Sequence, residues 1–194
     1  MTATAGFDAV SHAVESFVTT KRNSLSECYS REAWRLLESN YEVVLGAPND
    51  LNARASMLLG AFFAGLAIEN SMLGASHACA NPLTSNYGIT HGVAIAMLLP
   101  KVVRWNAPVV ESRYRELMQV ARGNGSSCDS AESLAQRLEK MVALGKMPTN
   151  LRAVGISSMD LMELADAAIL EWTGRFNPRP LDKAGALELY QWVL

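Results

Sequence analysis

Residues 51–73 read LNARASMLLGAFFAGLAIENSML, and within them only Arg54 and Glu69 carry charge. A helix that is apolar nearly all round has no face for water and belongs in the middle of a bundle. That requirement constrains the fold more than any other feature, because the rest of the chain must supply helices to enclose it. Gly60 and Gly65 would weaken an isolated helix, so they are expected to let a neighbour approach closely. The uncharged part, residues 55–68, rises only about 21 Å as a helix, short of the roughly 30 Å of a bilayer core. A soluble protein without a membrane partner is expected.

The other segments fit an enclosing role. Helical residues are plentiful and alternating β-branched runs nearly absent. Residues 2–20 read as a helix. Residues 26–45 read as another, capped by Ser26 and stopped before Gly46-Ala47-Pro48. His77 and His91 are expected on different elements, because Pro82 and Gly88 interrupt the stretch between them. The run GVAIAMLLP at 92–100 is read as helix, since a strand there would lack pairing partners. Further helices are expected over 110–122, 130–145, 158–172 and 181–194, with Asn177-Pro178-Arg179-Pro180 as a breaker. With 194 residues, 49% of them apolar, this is a single all-α helical bundle over 1–194.

Composition also excludes function classes. A net charge of -2 with no basic tract argues against nucleic acid. Cys28, Cys79 and Cys128 are odd in number and form no CxxC pair, which fits a reducing cytoplasm rather than a disulfide framework. MTATAGFDAVSH has neither the basic start nor the apolar run of a signal peptide.

All three histidines lie in two short windows, AGFDAVSHAVES and GASHACANPLTSNYGITHG. Asp8 and His12 are spaced i, i+4, which puts both on one helix face about 5–6 Å apart at Cβ. His91 is expected near the start of its helix, with His77 on a facing element. Each has a plain structural reading when taken alone: a polar face, a satisfied core histidine, a capping histidine. Together Asp8, His12, His77 and His91 form a ligand set suited to a divalent transition metal, with room for a water or substrate oxygen. Bundle cores commonly hold such sites. Cys79 is read as a small buried residue. Glu15 is either a partner behind a ligand or a solvated charge. Asn81 either reaches into the same cavity or makes a turn hydrogen bond before Pro82.

DAVSHAVESF, GASHACANPLTSNYGITHGVAIAMLLPKVVRWN and NPRPL together resemble the C-terminal domain of the iron-dependent (group III) alcohol dehydrogenases, over essentially the whole chain. The resemblance implies a dehydroquinate synthase-like C-terminal domain, an all-helical metal domain facing an N-terminal dinucleotide-binding domain that these residues do not include. Carried over position by position, the family's metal ligands fall on Asp8, His12, His77 and His91, which are then also the catalytic residues. The implied cofactors are a divalent metal (iron first, zinc or nickel as alternatives) and NAD(P), the latter only with the N-terminal domain. The implied chemistry is hydride transfer between a nicotinamide and a small alcohol or carbonyl, with the metal as Lewis acid.

Two features depart from the family pattern. Many members carry a histidine where this chain has Asn81, which bears on substrate range and proton relay. There is also no strand followed by a glycine-rich phosphate loop, since GNGS at 123–126 lacks the strand and a further glycine. The chain alone is therefore expected to bind NAD(P)H very weakly and to turn over little. Competing readings are hydroxyacid–oxoacid transhydrogenase, glycerol dehydrogenase or maleylacetate reductase activity, and a freestanding, non-catalytic helical metal-binding or interaction domain. In that last reading, the apolar face left by a missing domain would favour a homo-oligomer.

Overall fold

Eight helices and two short 3-10 turns carry the chain in a computed structural model that describes residues 1–122 and 129–194. No strand occurs among the described residues, so the all-α expectation holds. The GNGS run and Cys128 lie outside the described residues. In order the helices are α1 (Thr2–Val18), α2 (Ser24–Gly46), α3 (Leu51–Glu69), α4 (Ala75–Tyr87), α5 (His91–Arg122), α6 (Ala131–Leu144), α7 (Leu161–Leu170) and α8 (Lys183–Trp192).

Helix α1 packs against α2, α3 and α5, while α4 lies against α5 and α7. The core joins Phe7, Val10, Val14 and Phe17 of α1 to Trp34, Leu37 and Tyr41 of α2, and continues through Ile95, Leu98 and Leu99 of α5 into Leu134 and Leu138 of α6. The two serines that α1 carries into this core bond to their own helix. Ser11 and Ser16 donate back to the carbonyls of Asp8 (2.6 Å) and His12 (2.5 Å), a pattern short hydroxyl side chains allow mid-helix.

The helix boundaries show which local signals held. Asn23, not Ser26, caps α2: its side chain accepts from Leu25 and Ser26 N–H, and Ser26 returns the bond to the Asn23 N–H. Pro82 does not interrupt α4, which runs through it to Tyr87. The cost of an interior proline, about 3 kcal/mol, is outweighed by a helix buried between α5 and α7. Gly88 ends α4 with φ 67°, a left-handed cap that glycine adopts without penalty. The span His91–Arg122 is two helical stretches that meet in a kink at Val110, so the separate helices expected over 92–100 and 110–122 are found, the first running on past Pro100 to the kink. The ladder is broken only at Val110 (φ −133°, ψ 26°).

Helix α3 overturns an expectation. It is not enclosed. Its buried face is a stripe of mostly small residues, Ala53, Met57, Gly60, Ala64 and Ala67, against which α1 and α2 pack. Gly60 is needed there, since a Cβ would stand 2.8 Å from Leu37 Cγ, whereas one at Gly65 would meet nothing. Small residues make the close contact, so the large ones are left outside: Leu51, Leu58 and Phe62 are 79%, 73% and 59% exposed. By length and composition α3 and α5 could each cross a membrane; α5 buries most of those residues in the fold and α3 does not.

Phe62→Glu should therefore change the unfolding free energy by no more than about 0.5 kcal/mol, as for other surface substitutions. Urea denaturation checks this. A loss of several kcal/mol would show that the residue is enclosed.

Candidate metal centre

Asp8 and His12 lie one turn apart on α1, as their spacing requires. His77 enters on the first turn of α4, and His91 is the first residue of α5. The short connection Gly88-Ile89-Thr90 brings the start of α5 back beside α4, where His91 Nδ1 lies 3.4 Å from Thr84 Oγ1. The same start of α5 rests on the backbone of α1. A Cβ on Gly92 would fall 2.4 Å from the Thr4 carbonyl oxygen, so only glycine allows His91 this close to Asp8 and His12.

The four side chains selected in the sequence converge. Asp8 Oδ1 lies 3.5 Å from His12 Nε2, 3.6 Å from His77 Nε2 and 3.5 Å from His91 Nε2. The rings of His12 and His77 are 5.0 Å apart between centroids, and those of His77 and His91 5.3 Å. Asp8 Oδ1 and His77 Nε2 are buried with no hydrogen-bond partner. Asp8, His12 and His77 each offer a donor atom within 4.8 Å of the others, and His91 joins them through Asp8. Buried polar atoms left unpaired cost free energy. This donor set is one that divalent transition metals accept. The residues present fit a cation.

Electrostatics distinguishes the four. Burial pushes the Asp8 carboxyl up, but His77, His12 and His91 outweigh it and leave it below its ordinary value. Burial, with His77 adjacent, pushes His12 down to about 4. Burial also holds His91 below its ordinary value. His77 differs: burial opposes its charge, yet Asp8 and Glu15 on either side of the ring raise it to about 9. The lowered values of His12 and His91 favour their neutral imidazoles at neutral pH, and the raised value of His77 favours its protonated ring.

Glu15 is not a solvated charge. It is 4% exposed, its Oε2 is 2.5 Å from His77 Nδ1, and its Oε1 accepts from Ser76 N–H at 2.7 Å. Cys79 is fully buried and its thiol is pushed up to about 12 by burial, as suits a packing residue. Asn81 donates to Glu171 at 2.7 Å and ties α4 to the end of α7. It makes no turn bond before Pro82, because no turn begins there.

Sequence reasoning missed Asn177, seen only as part of a breaker. Its buried Oδ1 accepts from Ala75 N–H (3.1 Å) and Asn106 Nδ2 (3.1 Å), while its Nδ2 donates to Asn106 Oδ1 (2.7 Å) and the Arg179 carbonyl (2.6 Å). The N-cap of α4, Gly74, has no side chain to offer, so Asn177 and Glu15 receive its first N–H groups from a distance.

The whole of this helical chain, residues 2–194, matches the model of the Fe-containing alcohol dehydrogenase family, C-terminal. The chain belongs to that family. It is 34% identical over 202 residues to lactaldehyde reductase of Escherichia coli (strain K12), covering 97% of this chain and 50% of that protein. It is 29% identical over 194 residues to 1,3-propanediol dehydrogenase of Citrobacter freundii, covering 98% and 50%. An alcohol dehydrogenase structure from Oenococcus oeni superposes with a TM-score of 0.94 at 28% identity, over 100% of this chain and 51% of that one. The chain thus spans about half the length of the curated relatives it matches. Membership of an Fe-containing family implies a divalent metal, iron foremost.

Asn177→Ala should cost about 2–4 kcal/mol in unfolding free energy, since it strands several buried polar groups at about 1–3 kcal/mol each before relaxation. Chemical denaturation tests this; a loss below about 0.5 kcal/mol would mean the network carries no weight.

Proposed function

We propose that this chain is the metal-holding half of an NAD(P)-linked alcohol oxidoreductase that interconverts a small alcohol and its aldehyde or ketone. Asp8, His12, His77 and His91 hold one divalent cation, iron first, with zinc or nickel as alternatives. The observation that carries this reading is the position of Asp8 Oδ1, buried, unpartnered, and 3.5–3.6 Å from the Nε2 atoms of all three histidines. Membership of the Fe-containing family supports iron. The relatives' names, a 1,3-propanediol dehydrogenase and a lactaldehyde reductase, support small alcohols and aldehydes as the substrate class.

When bound, the cation supplies Lewis-acid stabilisation of negative charge on the substrate oxygen. The chain's own residues do the rest. Asp8 offsets part of the ion's charge, and the two neutral imidazoles of His12 and His91 offer lone pairs without first losing a proton. His77 and Glu15, 5% and 4% exposed at the side chain, close the site on the core side. Asp8, His12 and His91 keep 25%, 24% and 32% of their side chains accessible, so substrate enters from their side. The nicotinamide nucleotide is supplied by a domain corresponding to the other half of the relatives.

His12→Ala and His91→Ala should each abolish stoichiometric metal uptake while keeping the helical circular dichroism spectrum. Elemental analysis reads the outcome, and normal metal content in either variant contradicts the ligand assignment. Because a cation must displace the His77 proton, uptake should strengthen with pH, by about tenfold per unit, up to the His77 value of about 9.

A further inference from the structure

His77 has two ring nitrogens, and only one can meet a cation. Nε2 faces Asp8, so its lone pair is available only when the ring's remaining proton sits on Nδ1. Nδ1 lies 2.5 Å from Glu15 Oε2, and a carboxylate oxygen accepts but does not donate. That contact holds the Nδ1–H form. The second carboxylate oxygen takes the N–H of Ser76 at 2.7 Å, the residue immediately before His77. Glu15 thus grips both the ring and the backbone that carries it, at the positive end of α4, where negative charge is favoured.

The surroundings are built for that grip. A side chain at Gly74 would stand 2.7 Å from Asn177 Oδ1 and 3.2 Å from Glu15 Oε1, so both hold α4 only because residue 74 is glycine. Asn177 fixes Ala75 N–H from the opposite side. On α1, Glu15 is one turn from His12, so the helix that brings His12 to the centre also brings the group that orients His77.

We propose that Glu15 is the positioning residue of this centre: its carboxylate fixes the orientation and tautomer of His77 that present Nε2 to the cation. The proposal rests on the reading of His77 as a ligand. Glutamine has the same shape but cannot replace it. With the amide oxygen on Ser76 N–H, the NH2 group faces Nδ1 and requires a lone pair there, which moves the ring proton to Nε2. With the oxygen on Nδ1–H, the NH2 group confronts the Ser76 N–H instead.

The test uses the full chain loaded with Zn2+ and carrying 15N-labelled histidine. Wild-type His77 should show its proton on Nδ1 and the metal on Nε2. Glu15→Gln should keep its helical spectrum, lose the Nδ1–H resonance of His77, and bind Zn2+ about 10–100-fold more weakly in chelator competition. Glu15→Asp, which keeps the charge, should recover the resonance with a smaller loss of affinity. The proposal is overturned if Glu15→Gln binds Zn2+ within about twofold of wild type and retains the resonance, or if wild-type His77 carries its proton on Nε2. The wild-type resonance decides the point even if Glu15→Gln proves unstable. A wild-type chain that takes up no Zn2+ would instead overturn the ligand reading itself, which is a separate result.

Discussion

One carboxylate oxygen sits where three helices meet. Asp8 Oδ1 faces imidazoles from α1, α4 and α5, each near 3.5 Å and none in hydrogen-bonding geometry. Holding four polar side chains in that relation, partly shielded from water, costs free energy unless something charged completes the set. Much of the local structure serves the arrangement. Gly92 lets the start of α5 touch the α1 backbone, Gly88 turns the chain back from α4, and Gly74 leaves room for the groups that cap α4 from elsewhere.

The centre also explains why this bundle keeps polar residues in its core. Glu15, Asn106 and Asn177 are at most 4% exposed, and all have partners. They link α1, α4, α5 and the chain before α8 through directional bonds that apolar packing could not supply. Apolar contact sets how closely helices approach; hydrogen bonds set which nitrogen of His77 points inward. The first makes the fold and the second makes the site specific.

How much of this is legible in the sequence depends on how far apart the interacting residues lie. Asp8 and His12 are readable because the helical period fixes them on one face, and His91 because an apolar run follows Gly88 and the histidine. Pro82 misleads because the rule against interior prolines is local, and the packing around α4 overrides it. Residues 51–73 mislead for another reason. Composition shows that the segment is apolar all round, but not that, among the described residues, only its small-residue face is covered by other helices. Glu15 stays ambiguous because its partner is 62 positions away, and Asn177 passes for a breaker because Ala75 is 102 positions away. The family resemblance implies Asp8, His12, His77 and His91 as one set, which spacing alone leaves open.

The most direct test of the central claim is anomalous diffraction from crystals of the chain grown with Co2+ or Zn2+, with data on both sides of the metal absorption edge. The account predicts one strong peak, about 2.0–2.2 Å from Asp8 and from a ring nitrogen of each of His12, His77 and His91. A peak bound elsewhere, or no peak among these four side chains at saturating metal, would contradict it.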